Sequence, residues 1–320
     1  MTAPRLPWQT STPLILAPMQ GLTNRALRSY FIEHVEPDVV FTEFMRVNAA
    51  AEVKRLSRAD LREMAAEEQG VPLVVQLVGH GAKALVSAAT AAQAAGAVHI
   101  NLNMGCPYGR MTSGLTGGGM LKRPADIAEI IRPLRDAVRG SFSVKIRAGY
   151  SDPEQIFSLL PLFESAGVDF LILHPRTVVQ EYQGVAEHHI TARVVKETCL
   201  PVIANGDIRS AADGQRVLKG TGAAGLMLGR GAIADPLLFE RLRSAANPVP
   251  DADERRGQLS SYLLEMMLRY KELFCGDMQV LGKMKAIVSQ MDDPELVKTL
   301  KELKKAKNLQ TFAAQLHVVN

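Results

Sequence analysis

Cysteine is scarce in this sequence. The 320 residues include 3 cysteines, Cys106, Cys199 and Cys275, and no two of them have the spacing of a metal-ligand pair. An odd number of widely separated cysteines argues against a disulfide framework and against a zinc site. We therefore expect no metal site, a reducing cytoplasmic location, and ordinary buried thiols at Cys199 and Cys275.

Long hydrophobic runs are also absent. No segment reaches the roughly 18 apolar residues of a membrane span, and the first residues, MTAPRLPWQTSTP, lack the charged and apolar regions of a signal peptide. We expect a soluble, untargeted protein with no membrane partner. A strong excess of one charge is missing as well, because 37 Lys and Arg face 33 Asp and Glu. A formal net charge of +4 permits a polyanionic partner but does not require one.

What the chain does have is enough apolar residues, 47%, to fill a barrel-sized core. Short β-rich runs alternate with helix-like stretches, which is typical of an α/β protein. The eight runs are 14–17, 39–42, 73–77, 98–102, 144–147, 170–174, 202–204 and 225–228. Eight such units match a TIM (β/α)₈ barrel, whereas a doubly wound open sheet usually has five or six strands. We therefore predict a TIM barrel.

The pattern changes near residue 247. Residues 247–251, Asn-Pro-Val-Pro-Asp, are rich in turn formers, as expected of a linker. Beyond them the β-rich runs stop, and apolar residues such as Leu263, Met266 and Tyr270 recur at helical spacing. We predict a catalytic barrel over residues 1–245, a linker over 246–252, and a small C-terminal all-helical domain over 253–320.

The active site of a TIM barrel lies at the C-terminal ends of its strands. The residues at those ends, most of them polar or glycine, include Pro18, Met19, Gln76, Asn103, Cys106, Lys145, Arg147, His174, Asn205, Gly206, Asp207, Gly229 and Arg230. We expect these residues to surround one opening.

Glycines follow the seventh and eighth predicted strands, at Gly206 and Gly229. Bare backbone N–H groups let an anion approach closely, and a helix N-terminus adds a favourable dipole. Arg230 would balance the charge of a bound phosphate. The alternative is that each glycine only permits a tight turn, but their presence in consecutive loops favours a phosphate site.

Lys145 lies inside an apolar run, in Ser-Val-Lys-Ile-Arg at 143–147. An unpaired buried ammonium group is costly, so Lys145 must reach solvent or the barrel opening and needs an anionic partner. That partner is either a bound ligand or a carboxylate in a structural ion pair. Gln76 could hydrogen-bond a ligand ring, although a polar residue at the end of a strand is equally ordinary.

Cys106 lies between Gly105 and Pro107 and precedes a glycine-rich loop, residues 109–119, so a core position is not expected. A thiol at this place could act as a nucleophile, as a base, or as an acid that protonates a carbon after hydride transfer. No His and Asn arrangement typical of cysteine proteases is evident, which disfavours a hydrolase.

Seven segments taken together resemble the tRNA-dihydrouridine synthases. They are APMQG at 17–21, TEFMR at 42–46, NLNMGCP at 101–107, KIRAG at 145–149, HPRT at 174–177, ANGDI at 204–208 and GRGA at 229–232. Their order and spacing agree over the whole barrel, and the resemblance extends into the helical tail. The N-x-G-C-P motif with its glycine loop, and Tyr-Gln-Gly at 182–184, are the most specific parts.

The resemblance implies that the protein reduces a uridine in tRNA with bound FMN and with NADPH or NADH as reductant. Hydride would pass from the flavin to C6 of uracil, and the Cys106 thiol would protonate C5 as the catalytic acid. The target base must leave its stack, at a cost of roughly a few kcal/mol. Implied FMN contacts are Pro18, Met19, Gln76, Lys145, His174, Asn205, Gly206, Asp207, Gly229 and Arg230. Implied substrate or tRNA contacts are Arg46, Asn103, Arg147, Tyr182, Lys283 and Lys285.

Two positions depart from the usual family pattern. Asn101 stands where most relatives have Asp, which removes a charged hydrogen bond behind the Cys106 loop. The lysine that often follows the Cys-Pro pair is missing, and Arg110 is its candidate replacement. Within the family, Arg46, residues 182–188 and Lys-Met-Lys at 283–285 resemble the subgroup that acts at tRNA position 16, although that subgroup usually has Arg at position 283.

Other functions fit part of the pattern. Lys298, Lys301 and Lys305 share a predicted helical face, which suits either a phosphate-binding stripe or an ordinary solvated surface. A different FMN barrel acting on a free pyrimidine or an enone would not need a separate helical domain. A tRNA-binding protein without catalysis would not need Cys106 and Lys145. We expect a monomeric enzyme whose partner is tRNA.

Overall fold

The chain folds into a closed parallel barrel followed by a bundle of helices. A computed structural model describes residues 5–47, 56–64, 70–108, 115–244 and 250–317. Within these ranges the strands are β1 (Leu14–Leu16), β2 (Val39–Phe41), β3 (Met45–Arg46), β4 (Leu73–Val78), β5 (His99–Met104), β6 (Ser141–Arg147), β7 (Phe170–His174), β8 (Val202–Asn205) and β9 (Gly225–Leu228). Every pairing is parallel.

Closure of the barrel follows from the strand pairings. The strand β1 pairs with both β2 and β9, and β2 also pairs with β4, so that eight strands form a complete ring. The two-residue strand β3 pairs with the end of β4 and is an addition to that ring. The predicted TIM barrel is therefore confirmed.

Helices cover the outside of the barrel and form the C-terminal region. In the described part of the chain they are α1 (Arg25–His34), α2 (Arg58–Met64), α3 (Ala82–Ala94), α4 (Pro124–Ala137), α5 (Gln155–Ser165), α6 (His188–Glu197), α7 (Ala211–Thr221), α8 (Arg230–Ala234), α9 (Leu238–Arg243), α10 (Ala252–Leu273), α11 (Asp277–Val288), α12 (Val297–Lys305) and α13 (Leu309–His317). A 3₁₀ helix spans Gly117–Lys122. None of these helices is long and apolar enough to cross a membrane.

Local sequence signals explain where several helices begin and end. The Asn24 side chain accepts a hydrogen bond from the Leu27 N–H and so caps α1. Ser210 and Asp213 form a reciprocal capping box at the start of α7, and Gly222 ends that helix in a left-handed conformation with φ +69°.

The interior of the barrel is filled by apolar side chains from the strands. Ile15, Phe41, Phe170 and Ile203 are fully buried in this interior. Trp8, which precedes the first strand, packs edge-to-face on Phe170 at the start of β7, with the ring centroids 4.7 Å apart. Among the described residues, Trp8 and the strand side chains fill the N-terminal end of the barrel.

The helical region shares an apolar core with one side of the barrel. Phe31 of α1 and Phe239 of α9 belong to the same buried cluster as Leu263, Tyr270 and Met284 of the C-terminal helices. Residues 246–249 of the predicted linker lie outside the described residues. The shared cluster means that the helical region packs directly on the barrel.

Two cysteines differ from the expectation of buried thiols. Cys199 and Cys275 are both exposed. Cys199 lies in the connection between α6 and β8, and Cys275 lies in the short turn between α10 and α11. Connections of this kind run over the surface, where the preference of cysteine for the core is overridden by chain position.

Candidate active site

A cavity of about 680 Å³ opens at the C-terminal ends of the strands. The predicted site residues that line it are Pro18, Met19, Arg46, Asn103, Cys106, Lys145, Arg147, His174, Tyr182, Asn205, Gly206, Asp207, Gly229 and Arg230. A larger cavity of about 1140 Å³ lies between the barrel and α10, but it contains none of the strand-end residues named above. We therefore take the smaller cavity as the candidate active site.

Lys145 presents an ammonium group to this cavity. Its Nζ donates a hydrogen bond to Asn205 Oδ1 at 3.0 Å, and Asn205 Nδ2 donates to the Met227 carbonyl at 2.8 Å, which fixes the amide. Burial, together with the positive charge of Arg147, lowers the pKa of Lys145 to about 8. No described carboxylate forms an ion pair with Lys145, so the geometry favours a bound anion over the structural ion pair.

His174 lies beside Lys145 at the end of β7. Burial lowers the pKa of His174 well below its usual value, and the positive charges of Arg147 and Lys145 act in the same direction. The imidazole is therefore neutral near pH 7. Its Nδ1 accepts a long hydrogen bond, 3.4 Å, from the Arg176 N–H, which assigns the ring proton to Nε2.

An acidic residue organises the end of the cavity near Gly206. The Asp207 carboxylate accepts hydrogen bonds from Arg176 Nη1 at 3.0 Å, Arg176 Nη2 at 2.6 Å, the Ala186 N–H at 2.8 Å and Arg230 Nη2 at 3.2 Å. Burial alone would raise the pKa of Asp207, but the hydrogen bonds from Arg176 and Ala186 outweigh it and hold the pKa below its usual value. Asp207 thus stays ionised and orients Arg230.

Gly206 is required at its position for two reasons. Its φ of +122° is rare for residues with a side chain, and an added Cβ would lie 3.0 Å from Ala186 Cβ and 3.2 Å from His174 Nε2. Gly229 is less constrained, because a Cβ there would make only ordinary contacts. The backbone conformation and the packing against Ala186 and His174 therefore both require glycine at position 206.

The backbone on both sides of Cys106 is held by hydrogen bonds. The N–H groups of Gly105 and Cys106 both donate to Asn103 Oδ1 at 3.0 Å. From the other side, the Gly118 N–H donates to the Cys106 carbonyl at 2.9 Å. Cys106 is half-buried and lines the cavity, so its fixed backbone places the thiol at the site.

The chain matches a family model over nearly its whole length. A family model described as "Dihydrouridine synthase (Dus)" matches residues 15–318. The chain belongs to the dihydrouridine synthase family. This dihydrouridine synthase is 33% identical over 234 residues to the probable tRNA-dihydrouridine synthase of Rhodobacter capsulatus, covering 73% of this chain and 71% of the relative.

Two further relatives carry more specific names. The tRNA-dihydrouridine(16) synthase of Haemophilus influenzae is 35% identical over 243 residues, covering 74% of this chain and 78% of the relative. The tRNA-dihydrouridine synthase B of Vibrio cholerae is 32% identical over 237 residues, covering 74% of this chain and 72% of the relative. Relatives with either name therefore have similar sequence identity to this synthase.

Solved structures with a similar fold are more distant in sequence. Morphinone reductase in complex with tetrahydroNAD has a TM-score of 0.53 at 15% identity, covering 75% of this chain and 89% of that chain. The old yellow enzyme homologue from Zymomonas mobilis has a TM-score of 0.54 at 14% identity, covering 76% of this chain and 91% of that chain. At such identities the likeness shows the barrel fold alone.

Gln76 lies behind the Cys106 loop of the synthase and does not line the cavity. Asn103 Nδ2 donates to Gln76 Oε1, Gln76 Nε2 donates to Asn101 Oδ1, and Asn101 Nδ2 donates to Ser143 Oγ, each at 2.8 Å. Asn101 thus supplies a neutral link where most relatives were expected to have Asp. This buried amide chain ends on the backbone of Cys106 through Asn103.

Arg147 joins two loops of the synthase and is itself buried. Its Nε donates to the Gly105 carbonyl at 2.9 Å, and its Nη1 donates to the carbonyls of Thr177 at 2.8 Å and Glu181 at 2.6 Å. The guanidinium also lies over the ring of Tyr182, 5.3 Å from its centroid. Arg147 therefore links the Cys106 loop to the loop after β7.

Other predicted contacts of the synthase lie at the rim or outside the cavity. Arg46 is exposed at the rim. Lys283 and Lys285 are half-buried on α11 and do not line the cavity. The stripe of Lys298, Lys301 and Lys305 is exposed on α12. Arg110 and the glycine loop at 109–114 lie outside the described residues.

Three residues near the site of the synthase were missed in the sequence. Arg176 donates two hydrogen bonds to the Asp207 carboxylate. Its position in the HPRT segment, beside His174, could have indicated that it belongs to the site. Tyr108 lines the cavity two positions after Cys106, with its ring 6.4 Å from that of Tyr182. Gln290, just past α11, also lines the cavity. No local pattern could have indicated Gln290.

Proposed function

We propose that this synthase reduces the C5–C6 bond of a uridine in the D-loop of tRNA to 5,6-dihydrouridine, with FMN bound in the cavity and NADPH or NADH as reductant. The observation that carries the proposal is the presence, in one cavity, of a cation without a described carboxylate partner, a glycine-lined end with an arginine, and a thiol. The first two suit an anionic ring with a phosphate, and the third suits proton donation.

The residues present fit a flavin mononucleotide. Lys145 would pair with the negative charge of the reduced ring, and neutral His174 would donate a hydrogen bond without adding charge. Gly206 and Gly229 line the end of the cavity that holds Arg230, and Arg230, oriented by Asp207, would pair with a phosphate there. When bound, FMN supplies the hydride for C6 of the uracil ring. Pro18, Met19, Asn205 and Gly229 would complete its contacts, with Gln76 acting from behind the loop.

Cys106 would be the catalytic acid. The backbone of Cys106 is fixed by hydrogen bonds with Asn103 and Gly118. A fixed backbone would present the thiol to C5 of a base held in the cavity. Positioned proton transfer of this kind typically contributes 10²–10⁴-fold to a rate, on the order of the loss expected when the thiol is removed.

The tRNA would contact the rim and the helical region. Tyr182 is 43% exposed at the rim, with the guanidinium groups of Arg147 and Arg230 over its ring, and the exposed part of the ring would contact an unstacked base. Arg46, Lys285 and the exposed stripe on α12 would pair with phosphates. The names of relatives acting at position 16, and the motif resemblance at Arg46 and residues 182–188, support position 16 as the target.

Dihydrouridine mapping at nucleotide resolution tests the proposal. Unmodified tRNA is incubated with the purified protein, FMN and NADPH, beside the variants Cys106→Ala and Cys199→Ala. We expect product at position 16 with wild type and with Cys199→Ala, because Cys199 is exposed and does not line the cavity. With Cys106→Ala the rate should fall by roughly 10²-fold or more.

The other outcomes separate the alternatives. Product at another D-loop position would overturn only the choice of position 16. Reduced, bound flavin with no change in any tRNA uridine, together with turnover of a free pyrimidine or an enone, would replace the proposal with a small-molecule oxidoreductase. Binding of tRNA without binding of flavin would favour the alternative of a tRNA-binding protein without catalytic activity.

A further inference from the structure

A lysine of the helical region reaches into the loop that follows β1. Lys283 on α11 donates a hydrogen bond from Nζ to the Gly21 carbonyl at 2.8 Å, across a sequence separation of 262 residues. The same ammonium group lies 5.2 Å from the centroid of the Phe274 ring, so it is held from two directions. Lys283 is half-buried, and part of its hydration is replaced by these protein contacts.

The backbone N–H of Gly21 is held by the barrel. The Gly21 N–H donates to Glu43 Oε2 at 2.9 Å, and Glu43 lies between β2 and β3. Burial raises the pKa of Glu43, while the hydrogen bond from Gly21 and the charge of Lys283 oppose that rise. Gly21 has φ +82°, a conformation that suits glycine. Both polar groups of Gly21 are therefore fixed by charged side chains.

The loop held in this way forms a wall of the active-site cavity. Pro18, Met19 and Leu22 all line the cavity. The turn is compact, since the Leu22 and Thr23 N–H groups both donate to the Met19 carbonyl at 3.0 Å. A shift of Gly21 would therefore be transmitted to Met19.

We propose that Lys283 is a positioning residue for cofactor binding, which acts by fixing Gly21 and with it the cavity wall at Pro18 and Met19. The helical region then shapes the cofactor side of the cavity as well as binding RNA. This inference rests on the proposed flavin function. It gives Lys283 a different role from the tRNA contact implied by the family resemblance, because the ammonium group already directs one of its N–H donors at the Gly21 carbonyl inside the protein.

Replacement of Lys283 should leave the fold intact. The neighbouring residues Leu281, Met284 and Val288 are buried and carry the apolar contact of α11 with the barrel. Methionine keeps most of the length of the lysine side chain but cannot donate to the Gly21 carbonyl. Lys285, two positions along the same helix and outside the cavity lining, provides the matched comparison for loss of one positive charge.

The experiment measures two affinities for each variant of the full chain. Flavin-free protein is titrated with FMN by fluorescence quenching, and unmodified tRNA binding is measured at two salt concentrations. For Lys283→Met we expect FMN affinity to fall about fivefold or more, as for loss of a charged hydrogen bond. Its tRNA affinity and salt dependence should stay near wild type. Lys283→Arg should restore FMN affinity, and Lys285→Met should change tRNA binding alone.

Several results would overturn the inference. Unchanged FMN affinity in Lys283→Met with weaker tRNA binding and a shallower salt dependence would make Lys283 a phosphate contact. Unchanged affinities for both would reduce it to a structural contact. If Lys283→Met does not fold, Glu43→Met gives the second test. A methionine side chain cannot accept the hydrogen bond from the Gly21 N–H, so Gly21 is released from its other side and FMN binding should also weaken. Failure of the wild type to bind FMN would instead refute the proposed function.

Discussion

At the scale of single residues, the site is organised by how positive charge is accommodated. Arg176 and Arg230 share the carboxylate of Asp207, whereas Lys145 has only the neutral amide of Asn205 among the described residues. An ammonium group without a counter-charge in a buried cavity is costly. The cost makes Lys145 the residue whose properties should change most when an anion binds.

Lys145 should therefore destabilise the flavin-free protein in a pH-dependent way. Its pKa is about 8 in the fold against an ordinary 10.5, so the unfolded chain binds this proton more tightly. The stability cost is fully present below pH 8 and disappears as the pH rises through 10.5. We expect Lys145→Met to be more stable than wild type at pH 7, by on the order of 1 kcal/mol, with the difference shrinking towards pH 10.

Urea denaturation of both flavin-free proteins at several pH values measures this difference. Because the two proteins share all other titrating groups, the subtraction isolates residue 145. A stability difference that does not change with pH would show that the pKa of Lys145 is ordinary. With FMN present the order should reverse, since wild type gains binding energy that Lys145→Met lacks.

At the scale of elements, the 3₁₀ helix Gly117–Lys122 supports Cys106 from behind. Gly117 has φ +54°, and a Cβ on it would lie 3.1 Å from Cys106 Cβ. A Cβ on Gly118 would lie 2.6 Å from Val178 Cγ2 and 2.9 Å from the Cys106 carbonyl. Helix and loop therefore fit together only because these positions have no side chains.

Gly118→Ala should displace the Cys106 loop while leaving the cofactor end of the cavity in place. We expect the rate of uridine reduction to fall by about tenfold or more, since small displacements of a reacting group are costly. FMN affinity should stay within about twofold, because the atoms that an added Cβ would meet belong to Val178 and Cys106. Single-turnover kinetics and FMN titration measure the two quantities.

Gly220→Ala is the matched control for that substitution. Gly220 lies in α7, and an added Cβ would meet nothing within 4 Å. The change should leave activity unaltered and raise stability by roughly 0.5–1 kcal/mol, as for glycine to alanine in a helix. Equal rates in Gly118→Ala and Gly220→Ala would show that the 3₁₀ helix does not position the thiol.

At the scale of the whole molecule, the barrel and the helical region are joined by one apolar cluster and by polar contacts. Arg269 of α10 pairs with Glu33 of α1 and donates to Ser29 Oγ at 2.8 Å. Tyr270 lies in the same cluster as Phe31 and Phe239. Removal of the helical region would expose these rings to water.

We therefore expect a single cooperative unfolding transition for the full chain. Scanning calorimetry should give one peak whose calorimetric and van 't Hoff enthalpies agree. A chain that ends at residue 245 should be insoluble or unfolded, because the outer face of α1 loses its cover. Two separate peaks, or a stable isolated barrel, would show that the two regions fold independently.

The sequence by itself determined the alternation of strands and helices and the residues at the strand ends. These features are local, since apolar period, caps and turn residues act within a few positions of each other. The barrel then brings strand ends into one opening by geometry alone. For that reason the sequence alone predicted that Cys106, Lys145, His174 and Gly206 share one cavity.

Only the tertiary structure decided what each side chain does inside that geometry. The link from Gln76 through Asn103 to Cys106, the hydrogen bond from Lys283 to Gly21, and the place of Gln290 in the cavity join distant parts of the chain. The exposure of Cys199 likewise depends on where its turn lies on the barrel. No local pattern encodes such pairings, because a hydrogen bond depends on distances and directions that only the packed fold sets.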